Sequence, residues 1–445
     1  MLKGRARLAV FVTGSALLLS ACDWLPDWMG AGEDPPLPGQ RISVMQLEQE
    51  TTPDPGIADL AVKLPAPWRN AAWPQAGGFA NHAMHHLELP ESLGVAWQRD
   101  AGDGSSSTTR LLSQPVVADG KIFVFDAKSH VAAFEAGEGK ALWRIDLTPK
   151  HEDSGALGGG LAYSDGVLFA TSAYGQVFAL NPANGERLWE QTAGTPFRVA
   201  PAVAEGRVFA ISFDNQLTAL AAADGRVLWT HTGIAEDAGL IGGAVPAVEG
   251  GIVVAPYSSG ELFGLRVENG RVVWQDQLVR LQRVAPLAAL SEIRGSPAVD
   301  RNLVYAVSHS GRMAAIDHRS GDRIWERDLE GVEMPWVAGE FIYMVTTQAE
   351  VICLSRRDGR IRWVSQLQRY ENESKQSGLI QWTGPVLGGD RLILLSSHSR
   401  AVSLSPYTGE QLGELKLPSP AYVPPLIADG TLYIITDSAE LIAYR

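Results

Sequence analysis

The sequence predicts an all-β fold, an eight-bladed β-propeller, from three observations. A Gly-x-x-x-Trp unit recurs at a period of about 45 residues, within the range of about 40 to 50 residues that is typical of four-stranded propeller blades. Short β-rich runs within each period are separated by turns that contain glycine. The 3.6-residue period of an amphipathic helix is not found over these runs.

The recurring unit marks the end of each predicted blade. A seventh copy begins at Gly409 but has Gly413 in place of the tryptophan, and Trp97 stands one period before the first complete copy. A residue repeated in every blade is expected to fill the space between neighbouring blades, so we predict packing roles for these tryptophans in preference to ligand stacking. The complete copies are Gly139 to Trp143, Gly185 to Trp189, Gly225 to Trp229, Gly270 to Trp274, Gly321 to Trp325 and Gly359 to Trp363.

Within each period the pattern predicts an antiparallel meander of four strands. A short apolar strand such as 114–117 leads through a tight turn into a longer β-rich run, here 121–125. A third strand follows, and the fourth strand ends on the tryptophan. Glycine in the first turn supplies the positive φ that two-residue hairpins require. This turn is predicted at Asp119-Gly120, Asp165-Gly166, Glu205-Gly206, Glu249-Gly250, Ala338-Gly339 and Asp429-Gly430.

The two ends of the repeat region predict how the ring closes. After Gly413 the chain has three predicted strands and no fourth, and a lone fourth strand ends at Trp97. If these join, the last blade is built from the N- and C-terminal strands and no sheet edge is left unpaired at the seam. The prediction is eight blades, with strands from about residue 93, in a domain of 68–445. An open solenoid, the alternative, would leave the three-strand remnant uncapped.

The N-terminus has the layout of a secretory signal over residues 1–21, with basic residues, an apolar run and small residues in that order. The order Leu19 to Cys22 resembles the lipobox of bacterial lipoproteins, which implies cleavage before Cys22 and acylation of that cysteine. An ordinary signal peptide is the alternative. Residues 22–67 are rich in Pro, Gly and acidic side chains, which predicts a tether. Asp23 resembles an inner-membrane retention signal, so the choice between the two membranes stays open.

Composition excludes several classes of protein. The chain has 37 basic and 50 acidic residues and a formal charge of −13, whereas nucleic-acid binding calls for a basic excess. Two cysteines cannot form a disulfide framework, and Cys353 in a predicted third strand is expected in the core. His82, His85 and His86 would need a fourth ligand to hold a metal, so an ordered segment that packs across the propeller is the preferred interpretation.

The longest predicted connections all join one blade to the next. In an up-and-down blade such connections lie on one face of the ring, and long insertions commonly mark the binding side. The third of them mixes three arginines with apolar residues, the composition expected of a protein interface. The four connections are 146–160, 230–245, 278–297 and 366–385.

The repeat at residues 179–189, ALNPANGERLW, resembles that of quinoprotein propellers, with PQQ-like repeats over about 97–445. The resemblance bears on the fold more than on activity. Quinone-dependent dehydrogenases of this type are longer, carry adjacent cysteines over the cofactor and hold calcium in the channel. The two cysteines of this chain are far apart in sequence. We therefore predict that the protein is not an enzyme and holds neither a cofactor nor a metal.

The lipobox, the tether and the eight quinoprotein-like blades together resemble the BamB family, lipoproteins of the outer-membrane β-barrel assembly (BAM) machinery. The resemblance implies a non-catalytic scaffold, anchored at the periplasmic face of the outer membrane, that binds the POTRA domains of BamA. Other BAM components and unfolded outer-membrane proteins are further implied partners. The contact loops of the family correspond here to Leu240, Ile241, Leu290, Glu292, Ile293 and Arg294.

Two departures and two alternatives accompany this interpretation. Ile241 stands where the family has a basic residue, and Arg294 stands where it has an acidic one. One alternative function is that of a quinone-dependent dehydrogenase. The other is a periplasmic propeller that binds glycan, for which Trp336 and Trp382, outside the repeat register, are the predicted aromatic contacts.

Overall fold

The computed structural model describes residues 51–236, 240–279 and 292–445, and Thr52–Arg445 form one compact unit. Within these residues, the first strand is β1 (Val95–Asp100). Blades 1 to 4 are formed by β2 (Val116–Ala118), β3 (Lys121–Phe125), β4 (His130–Glu135) and β5 (Ala141–Asp146); β6 (Gly159–Ser164), β7 (Val167–Ser172), β8 (Gln176–Leu180) and β9 (Arg187–Thr192); β10 (Ala202–Ala204), β11 (Arg207–Ile211), β12 (Gln216–Ala221) and β13 (Val227–Thr232); and β14 (Ala247–Glu249), β15 (Ile252–Pro256), β16 (Glu261–Arg266) and β17 (Val272–Gln277).

The remaining blades continue the same order. A 3-10 turn, Glu373–Lys375, lies between the two strands of an added hairpin, β26 and β27. The strands are β18 (Ala298–Asp300), β19 (Leu303–Val307), β20 (Met313–Asp317) and β21 (Arg323–Arg327); β22 (Trp336–Ala338), β23 (Phe341–Val345), β24 (Glu350–Ser355) and β25 (Ile361–Gln366); β26 (Tyr370–Asn372) and β27 (Ser377–Leu379); β28 (Trp382–Gly388), β29 (Arg391–Ser396), β30 (Arg400–Leu404) and β31 (Gln411–Lys416); and β32 (Leu426–Ala428), β33 (Thr431–Ile435) and β34 (Glu440–Tyr444).

The described strands form eight four-stranded antiparallel sheets, and the last is built from both ends of the chain. Its order is β1-β34-β33-β32, with Asp100 paired to Glu440 at one end of the β1 and β34 ladder. The Gly94 N–H donates to the Arg445 carbonyl at 2.8 Å, and the Arg445 N–H donates back to Gly94 at 3.0 Å. The prediction of an eight-bladed all-β propeller closed by its terminal strands is confirmed.

The hairpin turns follow the glycine pattern with a small shift in two blades. Asp119 and Gly120, for example, have φ of 48° and 70°, as a two-residue turn matched to strand twist requires. In blade 4 the prediction was wrong by one residue, because Glu249 ends β14 and the turn consists of Gly250 and Gly251, both with positive φ. In blade 6, Ala338 likewise belongs to β22, ahead of Gly339.

The repeated tryptophans join each blade to the next, as predicted. Each indole Nε1–H donates to a carbonyl in the turn between the third and fourth strands of the following blade, at 2.7–3.2 Å. This bond satisfies the polar atom of an otherwise apolar ring. The donors Trp97, Trp143, Trp189, Trp229, Trp274, Trp325 and Trp363 bond in that order to Ala136, Pro182, Ala222, Val267, His318, Arg356 and Pro406. Cys353 is buried in the core, also as predicted.

Residues 68–89, which we call the strap, run around one end of the central channel. The strap meets the innermost strand of every blade, by backbone bonds in six blades, by the Gln75 side chain in blade 3 and by Trp336 in blade 6. The Trp73 N–H, for example, donates to Val117 at 2.8 Å, and the Val248 N–H donates to Ala80 at 2.7 Å. These contacts supply the partners that buried backbone groups require. The strap is thereby held across the channel and closes that end of the ring.

Residues 52–67 differ from the sequence-based expectation of a tether that extends to residue 67. The Asp54 N–H donates to Ile361 of the outer strand of blade 6 at 2.8 Å, and the side chains of Ile57 and Val62 are buried. Hydrogen bonds and two buried apolar side chains hold this segment on the propeller, although it lacks strand periodicity. Across the described ranges, no helix has the length and hydropathy that crossing a membrane would require.

Candidate partner-binding face and funnel

The long blade-to-blade connections lie on the face of the ring opposite the strap. The four predicted insertions run between β5 and β6, β13 and β14, β17 and β18, and β25 and β28. A further long connection, which was not predicted, joins β1 to β2. The innermost strands all begin at this face, so the connections that precede them meet around the mouth of the channel. The fourth connection contains the β26 and β27 hairpin, which the sequence analysis did not predict.

Arg198 lies between β9 and β10 and ties that connection to two of the long ones. Its Nη2 lies 2.7 Å from Glu292 Oε1, and both side chains are buried. The same guanidinium donates to the carbonyls of Leu240 at 3.1 Å and Gly242 at 3.2 Å. Glu292 Oε2 accepts from the Leu240 N–H at 2.5 Å. Burial raises the pKa of the Glu292 carboxyl, and the Arg198 charge opposes that shift. A buried ion pair with these added hydrogen bonds fixes the backbone of residues 240–242.

Arg294 extends this network to the next blades. Its Nε donates to the Ile241 carbonyl at 3.1 Å, and its Nη1 lies 3.5 Å from Glu333 Oε1. Glu333 Oε2 accepts from Thr383 Oγ1 at 2.7 Å and from the Gly384 N–H at 3.4 Å. Burial raises the pKa of Glu333, with Arg294 opposing the shift. One polar network therefore spans the connections from blade 2 to blade 7.

The structure divides the predicted contact residues into exposed and buried groups. Ile241 is 52% exposed, and Leu240 and Arg294 are partly exposed. Glu292 and Ile293 are buried, so their predicted role as direct contacts is corrected to one of support: Glu292 pairs with Arg198, and Ile293 packs in the core between blades 4 and 5. Leu290 and Cys22 lie outside the described residues.

Two residues of this network, Arg198 and Glu333, were missed by the sequence analysis. Arg198 stands in Pro196-Phe197-Arg198-Val199, a charged residue among apolar ones just before an innermost strand. That context is a signal for a buried and therefore paired charge. Glu333 carries the same signal, because it stands between Val332 and Met334 just before the innermost strand β22.

The network surrounds a cavity of about 820 Å³, which we call the funnel. Its mouth is lined by the connections, including Ile241, Leu379 and Tyr422. Strap residues Trp73, Ala76 and Gly77 lie at its closed end. The Trp73 and Trp336 rings stack there, with centroids 6.3 Å apart and an angle of 18° between planes. The channel is thus open on the connection face and closed by the strap on the other.

Trp336 and Trp382, the predicted aromatic contacts of a glycan-binding propeller, are both buried. The Trp336 Nε1–H donates to the His85 carbonyl at 2.8 Å, and the Trp382 Nε1–H donates to Gln368 at 2.9 Å. A glycan-binding propeller would have such rings exposed at the channel mouth, and these two rings are not exposed. Each ring lines the funnel from within, and its single donor is occupied.

Two of the three clustered histidines meet opposite ends of β18, and the third meets the segment 52–67. His82 Nδ1 lies 2.7 Å from the Pro297 carbonyl, and His86 Nδ1 lies 2.9 Å from the Pro65 carbonyl. His85 Nε2 lies 3.5 Å from Asp300 Oδ1. These contacts hold the strap in place between blades.

A different group, Asp103, Asp126 and His130, brings possible metal ligands together within 4.8 Å. Cationic side chains already occupy this group. Arg144 Nη2 lies 2.8 Å from a carboxylate oxygen of each aspartate, and Lys128 Nζ lies 2.8 Å from Asp103. Because these cations neutralise the carboxylates, the arrangement is an ion-pair network between blade 1 and its neighbour.

Comparison with known proteins identifies the family. A family profile described as outer membrane protein assembly factor BamB matches residues 91–155 and 127–365. The outer membrane protein assembly factor BamB of Salmonella typhimurium is 30% identical to the chain over 347 residues, which cover 76% of this chain and 86% of the relative. The chain belongs to the BamB family. The resemblance stated from the sequence is therefore confirmed.

Solved structures agree with this fold. The crystal structure of BamB from Moraxella catarrhalis matches 80% of this chain and 100% of that one, with a TM-score of 0.67 and 16% identity. The quinohemoprotein alcohol dehydrogenase from Comamonas testosteroni matches 85% of this chain and 81% of that one, with a TM-score of 0.63 and 14% identity. At such identities the two matches establish the propeller fold and carry no information on activity.

Proposed function

We propose that this BamB-family chain is a non-catalytic scaffold in outer-membrane protein assembly that binds the POTRA domains of BamA through its blade-connecting face. The observation that carries the proposal is the exposed Ile241 side chain on a backbone held by Arg198 and Arg294. A preorganised apolar residue within a polar surround is what a protein-binding hot spot requires. Leu240 and Arg294 complete the proposed surface, and Leu290 remains a predicted contact.

The same proposal includes the membrane attachment. Acylation of Cys22 would hold the protein at the periplasmic face of the outer membrane, because several acyl chains give stable attachment without a membrane-spanning helix. Within the described part of the chain, Asp54 bonds to the outer strand of blade 6. Attachment by a tether that ends there leaves the funnel side accessible to BamA and to other components of the assembly machinery.

The interface is tested with Ile241→Lys, measured by co-purification with BamA. We expect at least a tenfold loss of recovered BamA, because a charge at the centre of an apolar contact has to be desolvated. Leu188→Lys is the matched control, since Leu188 is equally exposed but lies on the outer strand of blade 2. Unchanged recovery with Ile241→Lys, or an equal loss with Leu188→Lys, would contradict the proposed interface.

Ile241 is a cleaner test position than its neighbours. Arg294→Glu would place a second carboxylate beside Glu333 and remove the bond to the Ile241 carbonyl, so it would perturb the loop itself. Removing Glu292 would leave Arg198 buried without its partner, which costs about 3 to 5 kcal/mol for such pairs. The Ile241 side chain can be changed without touching either ion pair.

Neither alternative function is favoured by the funnel. A quinone with calcium calls for free carboxylates and adjacent cysteines, but Glu333 is already bonded to Arg294, Thr383 and Gly384. Cys353 lies in the core, away from the funnel lining. The lining described here therefore does not fit that cofactor.

The lining does not favour a glycan either. A glycan needs exposed polar groups beside its aromatic platforms, whereas the indole donors of Trp336 and Trp382 are occupied internally.

A further inference from the structure

The closed end of the funnel is apolar and has its polar groups engaged. The Trp73 Nε1–H donates to Gln114 Oε1 at 3.1 Å, and the Trp336 Nε1–H donates to His85. Met334, Val345 and Val386 lie along the same walls. The two indole rings are themselves buried, Trp73 being 0% and Trp336 1% exposed. A ligand that reached this end would therefore meet a closed apolar surface with few free hydrogen-bond donors.

Charges of opposite sign balance each other around the mouth. Arg110 and Asp437, one basic and one acidic residue, both line the funnel, and two ion pairs lie on the other half of the ring. Arg198 pairs with Glu292, and Arg294 pairs with Glu333. An anionic or cationic ligand would have to break one of these pairs to gain a counter-charge, which is costly for groups that are already desolvated. The electrostatics of this half of the mouth therefore favour an uncharged ligand.

The rim adds exposed apolar side chains on both sides of the opening. Ile241 is 52% exposed on the connection from blade 3 to blade 4. On the other half of the ring, Leu379 of the β26 and β27 hairpin is 51% exposed and Tyr422 is 40% exposed. Exposed large apolar residues around a concave, apolar cavity are typical of a binding site.

We propose that the funnel binds an extended, uncharged segment of unfolded polypeptide in which apolar or aromatic residues alternate with small polar ones. This proposal deepens the proposed function, on which it rests. Membrane-spanning strands of outer-membrane barrels have this alternating pattern, with aromatic residues at both interfaces. Residues two apart on such a strand lie about 6.6 Å from each other on one face, so alternate side chains can pack against the exposed Leu379 and Tyr422 at the rim. The volume of about 820 Å³ falls within the range of about 300 to 1,000 Å³ found for ligand pockets.

The test measures peptide binding by fluorescence anisotropy with the purified full chain. The probe is a labelled ten-residue peptide without charge, in which Leu, Val, Tyr and Phe alternate with Ser, Thr and Asn. We expect binding of this peptide and none of a version with Ser at every apolar position. The double variant Leu379→Lys, Tyr422→Lys is expected to weaken binding at least tenfold, and Leu188→Lys to change it less than about twofold, where tenfold corresponds to about 1.4 kcal/mol.

Several outcomes would overturn the proposal. One is no binding by the wild-type chain up to about 1 mM peptide, which corresponds to a binding free energy weaker than about −4.1 kcal/mol. Another is binding by the double variant within twofold of wild type. Binding of a soluble peptidoglycan fragment in place of the peptide would overturn it in favour of a glycan site. Equal thermal unfolding midpoints of all variants are the check that the fold is unchanged.

The same variants separate this proposal from the BamA interface. Leu379 and Tyr422 lie across the ring from Leu240 and Ile241, so the double variant is expected to retain BamA while losing the peptide. If Ile241→Lys retained BamA but the peptide results held, the interface would fail and the peptide site would stand. If Ile241→Lys lost BamA but no peptide bound to the wild-type chain, the reverse would follow.

Discussion

At the scale of single residues, the repeated glycine and tryptophan act as a pair across each blade junction. Gly225 has φ of 72°, and a Cβ placed on it would lie 2.6 Å from Cε3 of Trp189 in the preceding blade. Only glycine allows both this backbone and this contact. The same logic explains Gly413. A tryptophan at position 413 would need an acceptor in a turn between the third and fourth strands of blade 8. No such turn exists, because these strands are β34 and β1, from opposite ends of the propeller.

Gly225→Ala therefore tests the junction against a matched glycine that lacks the contact. We expect a loss of about 2 to 5 kcal/mol in the free energy of unfolding, because the left-handed backbone costs about 1 to 2 kcal/mol and overpacking adds about 1 to 3. Gly206→Ala shares the positive φ, 70°, but its Cβ would meet nothing within 4 Å, so only the backbone cost applies. Urea unfolding measures both, and equal losses in the two variants would refute the packing role.

At the scale of elements, the strap is a single segment that the ring holds by many separate bonds. In blade 3 the Gln75 side chain replaces a backbone partner: it accepts from the Val203 N–H and donates to the Val203 carbonyl, both at 2.8 Å.

The strap residue His82 is fully buried, and its Nδ1–H donates to the Pro297 carbonyl. Burial lowers the pKa of His82 to about 4 from 6.5.

Because of this pKa shift, the free energy of unfolding is expected to fall as the pH is lowered. Between about pH 4 and 6.5 the unfolded chain binds a proton at His82 that the folded chain does not. The stability contributed by neutral His82 is present above pH 6.5 and is lost as pH falls through about 4, an effect of about 2 to 3 kcal/mol. His82→Asn keeps a donor and tolerates the φ of 60°. Its unfolding free energy should change less than that of wild type between pH 7.5 and 4.5; an unchanged pH slope would contradict the assignment.

At the scale of the whole molecule, the ring depends on its last blade. The β34 strand lies between β33 and β1, so it joins the two ends of the propeller and leaves neither of these strands unpaired. The segment 52–60, by contrast, touches blade 6 at few points, including the Asp54 bond and the buried Ile57.

Two terminal deletions compare these contributions. Removing residues 440–445 is expected to abolish cooperative thermal unfolding, because β1 and β33 lose their common partner. A chain that begins at residue 61 should unfold cooperatively, with a midpoint lowered by no more than about 4 °C for each kcal/mol of lost contact. Cooperative unfolding near the wild-type midpoint after the C-terminal deletion would show that closure does not stabilise the ring.

By itself, the sequence determined the number of blades, four of the six predicted hairpin turns, the tryptophan junctions and the closure of the ring. These features depend on short-range patterns repeated at a fixed period, which local chemistry enforces in each copy. Only the tertiary structure decided the path of the strap, the burial of Glu292 and the closed funnel. Arg198 and Glu292 are 94 residues apart, and His82 and Pro297 are 215 apart. Contacts at such separations leave no periodic trace in a single sequence, because the partners meet only when the ring closes.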